Sequence, residues 1–170
     1  MSPGKIAAIA IMFPLALGSV SAAELSKADQ EYLRDRARTL MVDVQAGQLG
    51  SKTATTDEVR AFAYRLLNDH QRALDNVRKL AAARKLEIPA APTERDLKAV
   101  TRLKGMSGVE FDEAFIRRSI SAHKDGTNED RKRMYGTKDP ELRALASASY
   151  EVETAHLALA NRAMASIRVR

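Results

Sequence analysis

An all-α bundle of four long helices is the fold class that this 170-residue chain predicts. Three observations carry it. Apolar residues recur at alternating spacings of four and three along most of the chain, as one buried helix face requires. Ala, Leu, Arg, Lys and Glu dominate, aromatic residues make up only 5% and Trp is absent, a composition that favours packed helices over sheets. No strand-like alternation interrupts the pattern.

The fold is expected to begin after a leader. Lys5 supplies a short positive region, Ile6 to Leu17 an apolar run, and Val20-Ser21-Ala22 the small residues of a cleavage site. The run is shorter than the roughly 20 residues that span a bilayer, and Pro14 interrupts it. Cleavage after Ala22 leaves residues 23–170 as a single helical-bundle domain, periplasmic or secreted. No later apolar segment has membrane length, so the mature chain has no transmembrane segment. With no Cys, neither a disulfide nor lipid attachment to a cysteine is available. The net charge of +6 comes from basic residues scattered over helix faces. A nucleic-acid partner would call for a basic stripe with stacking aromatics, and is excluded on that ground. Weak association with an anionic envelope surface remains compatible with the charge.

The first helix starts at Ser26, a capping hydroxyl with Asp29 three residues on. Leu33, Ala37, Leu40 and Val44 then mark its buried face. Gly47 and Gly50 permit a stop, while the apolar pattern runs on to about Thr53. Thr55 with Glu58 reads as the capping box of a second helix. Its stripe is Val59, Ala63, Leu66, His70, Ala73, Val77 and Leu80, and it ends near Leu86 ahead of Pro89 and Pro92. Residues 87–107 form a long crossover with a short extra helix capped by Thr93 and Asp96. That length carries the chain back along the bundle and leaves the second and fourth helices parallel. The next long helix covers about 109–134 with Phe111, Phe115, Ile116, Ile120 and His123 inward, and Gly126 and Asn128 are expected to distort its later part. Asp112 reads as a cap for that helix's own start. Asp139, Pro140 and Glu141 open the last helix. Its seam is Leu142, Ala146, Ser149, Glu153, His156, Ala160, Ala163 and Ile167.

The chain's 3 histidines interrupt three of these apolar seams, each within about two residues of its helix centre. At ~1.5 Å rise per residue, His70, His123 and His156 fall within roughly one turn of the same height. Glu153 shares a face with His156 at i, i+3. Neutral imidazole binds Zn, Cu or Fe, and three His with one carboxylate complete a four-coordinate shell. A di-iron centre needs two Glu-x-x-His motifs. Ile120 and Leu67 stand where His123 and His70 would need the glutamate, so only a mononuclear site survives. The competing interpretation is a metal-free polar network that sets helix register, with Asp69 or Glu153 as hydrogen-bond partner. Scattered methionines read as core filling, although Met41 near mid-height is a small point for copper. No oxyanion hole accompanies Ser119 or Ser149, so no hydrolase is indicated.

Val59-Arg60-Ala61-Phe62-Ala63, Asp69-His70, Leu80-Ala81 and Ile88-Pro89, followed by Phe111-Asp112, His123, Asp139-Pro140-Glu141-Leu142 and His156-Leu157, resemble a bacterial family of secreted, ferritin-like helical bundles. Its members carry a domain of unknown function and are often labelled predicted outer-membrane proteins. The resemblance spans about Leu25 to Met164. It implies a ferritin-like four-helix bundle in the periplasm or envelope, with all three histidines on family positions. The family pattern favours a Glu late in the first helix, where this chain has Asp43 and Gln45, which weakens a first-helix carboxylate ligand.

The leading expectation is therefore an exported, non-enzymatic bundle with a buried polar centre suited to one transition-metal ion, with His70, His123 and His156 as candidate ligands and Glu153 as a fourth ligand or supporting partner. One alternative is an envelope-interaction or stress-protection protein that works through its basic surface. A redox or oxygen-handling enzyme is disfavoured by the missing di-metal ligands.

Overall fold

The computed structural model describes residues 24–168, so the expected leader lies outside the described residues. Five helices follow in order: α1 (Lys27–Thr53), α2 (Asp57–Ala83), α3 (Glu94–Leu103), α4 (Gly108–Gly136) and α5 (Pro140–Arg168). No strand occurs among the described residues, and no helix there is long and apolar enough to cross a membrane.

Local chemistry sets most boundaries. The Ser26 hydroxyl accepts the Asp29 amide at 3.2 Å and starts α1. The helix then runs through Gly47 and Gly50 without stopping. These glycines serve contact instead: a Cβ on Gly47 would stand 2.8 Å from the Leu67 backbone nitrogen, and one on Gly50 would stand 2.7 Å from the Phe115 ring. Thr56, not Thr55, caps α2 by accepting the Val59 amide. The reason is Asp112, which accepts from the Thr55 hydroxyl at 2.7 Å and from the Thr55 and Thr56 amides at 3.0 and 2.9 Å. That carboxylate does not cap its own helix; it ties the start of α4 to the start of α2. The α2 terminus closes with Lys85 at φ 53, and the amides of Lys85 and Leu86 return to Ala82 and Ala81, the doubly bonded C-terminal turn usually built on glycine. The Thr93–Asp96 capping box of α3 is present in both directions. Gly126 and Asn128 leave α4 continuous.

The long connection has the expected consequence. Asp112 joins the starts of α2 and α4, while Arg84 at the end of α2 holds Asp139, just past the end of α4, at 2.8 Å. The second and fourth helices are thus parallel. Arg133 near the end of α4 pairs with Asp29 at the start of α1 at 2.7 Å, so those two run oppositely. Each of α1 and α5 packs on both α2 and α4, and α3 leans on α1 and α4.

Two apolar cores fill the bundle. One gathers Phe62, Leu66, Phe111, Phe115, Ile116 and Met164; the other gathers Leu33, Leu40, Leu74, Val77 and Leu142. Between them lies a buried polar layer, in which His70, His123 and His156 are each 0% exposed and Glu153 is 1% exposed.

The Asp139 cap offers a stability test. Burial alone would raise its pKa, but the Leu142 amide and Arg84 outweigh it and hold the carboxyl below its ordinary range. A depressed folded-state value means its contribution is complete above the unfolded pKa and is lost as pH falls through the folded one. Asp139→Ala is expected to cost about 1–2 kcal/mol in urea unfolding at pH 7. That gap should narrow as the pH drops below about 4.

Candidate metal centre

Each histidine projects inward because it occupies a position of its helix's apolar seam, and the parallel run of α2 and α4 sets their heights together. The ring centroids are 5.4 Å apart for His70–His123, 5.0 Å for His70–His156 and 5.2 Å for His123–His156. One nitrogen from each ring lies within 4.8 Å of the other two. Glu153, one turn before His156, reaches the same centre. Its Oε1 is 3.8 Å from His70 Nε2 and its Oε2 is 3.8 Å from His123 Nε2. All four residues expected from the sequence are brought together.

The outer nitrogens set the tautomers of His123 and His156. His123 Nδ1 is 2.5 Å from the Ser119 carbonyl oxygen, which can only accept, so that nitrogen carries hydrogen. His156 Nε2 donates to Asp69 Oδ2 at 2.9 Å. Burial tends to raise Asp69, but His156 and Arg65 overcome it and keep the carboxylate ionised. His70 Nδ1 lies 3.1 Å from Asp43 Oδ2, a contact without hydrogen-bond alignment, and His70 Nε2 has no hydrogen-bond partner. In the neutral forms of His123 and His156 the inner nitrogen is left with its lone pair. His123 Nε2 and His156 Nδ1 then face each other at 3.2 Å with no proton between them. Burial pushes His156 down to about 4 and also lowers His123, which disfavours a shared proton near neutral pH. Outer carboxylates and carbonyls that orient imidazoles in this way are the usual support of a metal-bound histidine.

A second shell of charge surrounds the rings. Arg36 Nη2 contacts Glu153 Oε1 at 2.6 Å and lies 3.6 Å from Asp130 Oδ2. Burial works against the Arg36 charge, but Glu153 and Asp130 more than restore it. Asp130 accepts the Tyr32 hydroxyl at 2.8 Å, and burial raises its pKa to about 6 against the pull of Arg36. Asp43 meets Arg118 at 2.6 Å. Burial opposes its ionisation, yet Arg118 and His70 hold the carboxyl far below the usual range.

Arg36, Asp43, Asp130 and Gly126 escape the sequence reading. Asp43 had counted against a first-helix carboxylate; it sits behind His70. One pattern could have exposed this face: Asp29, Arg36, Asp43 and Gly50 repeat every seven residues, in phase with Leu33 and Leu40, and all are buried. Met41 packs in the second apolar core, so the donors around the centre are nitrogen and oxygen. Phe62 walls one side, its ring 6.2 Å from His123 and 6.1 Å from His156.

Gly126 makes room for the carboxylate, since a Cβ there would stand 3.0 Å from the Glu153 carboxyl carbon. Gly→Ala within a helix ordinarily gains up to ~1 kcal/mol. At Gly136, with nothing within 4 Å of a Cβ, that gain is expected. Gly126→Ala should instead lower the melting temperature, because Glu153 is held by Arg36 and has nowhere to go. Thermal unfolding of the two variants side by side checks the contrast.

Comparison with known proteins agrees with the helical architecture. A DUF305 fragment from Deinococcus radiodurans, solved as a crystal structure, superposes with a TM-score of 0.75 over 85% of this chain and 99% of that one, at 8% identity. At that identity the likeness speaks for the fold alone. No curated protein matches the chain. The family model for DUF4142, a domain of unknown function, matches residues 15–163, and the chain belongs to that family.

Proposed function

We propose that this protein is an exported, ferritin-like bundle that holds one transition-metal ion, Zn, Cu or Fe, between His70, His123 and His156, with Glu153 as fourth ligand or supporting carboxylate. The observation that carries the reading is the pair of facing lone pairs on His123 and His156, 3.2 Å apart. Two neutral acceptors at that distance repel unless a cation joins them. Nitrogens bound tetrahedrally at ~2.0–2.1 Å stand roughly 3.3 Å from each other, close to this separation. The orphaned His70 Nε2 supports the same reading, because a buried polar atom without a partner is costly. The ferritin-like arrangement draws support from the parallel α2 and α4 and the long crossover between them. The leader-like residues 1–22 support export.

Titration of the metal-free protein with Zn2+, Cu2+ and Fe2+ tests the proposal. One equivalent should bind, and at about 100 times Kd the ion should add about 2.7 kcal/mol of stability, visible as a rise in Tm. His70→Ala should abolish both effects. Asp43→Asn, which touches no ion directly, should weaken binding by about 10–100-fold. A protein that binds none of the three ions, and whose Tm ignores them, would leave a metal-free network that only sets helix register. Elemental analysis of untagged protein from its own compartment identifies the native ion.

A further inference from the structure

A groove of about 490 Å³ lies between α1 and α4, with Asp96 of α3 at its edge. Its inner wall consists of groups that back the histidine centre. Arg36, Gly126 and Asp130 line it. Arg36 bonds Glu153 directly, and the missing side chain of Gly126 leaves the Glu153 carboxylate against that wall. One guanidinium and one glycine therefore stand between the groove and the ligand set.

Five carboxylates line the groove, Asp35, Asp96, Asp125, Glu129 and Asp130, against three arginines, Arg36, Arg38 and Arg118; Arg38 pairs with Asp35 and Arg118 with Asp43. Asp125 and Glu129 are exposed one turn apart on α4, a like-charge spacing that destabilises a helix, and no ion pair involving either is found among the described residues. Deeper in, Asp130 is fully buried, and its Oδ2 has no hydrogen-bond partner although it borders the groove. On a chain of net charge +6, this run of carboxylates is a local negative field leading inward. Two further cavities among the described residues lack this excess of carboxylates. The α2–α5 cavity ends at Asp69 and Arg72, behind the outer nitrogen of His156. The remaining one is lined by Arg117 and Lys124, which repel a cation.

We infer that a divalent cation reaches the imidazoles through the α1–α4 groove, gathered by Asp125 and Glu129 and drawn past Arg36 by Asp130 toward Glu153. The inference rests on the metal-site reading above. Its test is stopped-flow uptake of Co2+ by the metal-free full chain, followed by the visible absorption of the bound ion. Asp125→Asn combined with Glu129→Gln should slow association by about tenfold at low ionic strength, and the difference should fade in about 0.5 M salt. Glu87→Gln with Glu151→Gln, the same charge change away from the groove, should leave the rate within about twofold of native. Thr39→Phe, which fills the groove from α1, should slow uptake and release alike and leave the affinity nearly unchanged. If the native protein takes up no Co2+, both readings fall. Native uptake whose rate is indifferent to the rim and groove variants overturns the path alone.

Discussion

A layer of buried charge across the middle of the bundle is the constraint on which the rest of this structure depends. Removing ions from water costs several kcal/mol each unless they are closely paired, so the layer exists only where partners from different helices meet. Arg36 of α1 meets Glu153 of α5. Asp43 of α1 meets His70 of α2, His156 of α5 meets Asp69 of α2, and Tyr32 of α1 meets Asp130 of α4. Every long helix is therefore fixed in register by at least one of these contacts. The apolar cores above and below would tolerate a one-turn slip far better than this layer would.

The same layer imposes a direction on each imidazole. A carbonyl on the helix turn before His123 and a carboxylate behind His156 claim their outer nitrogens, while Asp43 lies behind His70. The inner ones then converge on one another and on Glu153. In a merely structural network, donors and acceptors would alternate around the centre. Here the inner nitrogens of His123 and His156 face each other at 3.2 Å, the contact on which the metal-site proposal rests. At 8% identity the likeness to the DUF305 fragment speaks for the fold alone, so the chemistry must be argued from the site and not from the fold.

Electrostatics also set the centre apart from the surface. Two arginines, Arg36 and Arg118, sit against three carboxylates, Glu153, Asp130 and Asp43, and burial raises the Asp130 carboxyl to about 6 against the pull of Arg36. A basic chain that nevertheless concentrates carboxylates behind its imidazoles and along one groove is polarised toward cations at that one place. The scattered surface arginines act over distances that salt screens.

The amino-acid sequence by itself determined the helices, because apolar spacing and caps are local. The stripes on α2 and α5, the Ser26, Thr93 and Asp139 starts, and the shared height of His70, His123, His156 and Glu153 all follow from counting along the chain. Capping between helices was not legible. Thr55 and Asp112 each looked like local caps, and only the meeting of α2 and α4 assigned them to each other. Gly47 and Gly50 looked like places to stop until neighbouring helices were seen pressing on them. Likewise, whether Asp43, Asp130 and Arg36 faced water or the centre was decided by tertiary packing: a charged residue beside an apolar stripe turns inward only when another helix brings the opposite charge to meet it.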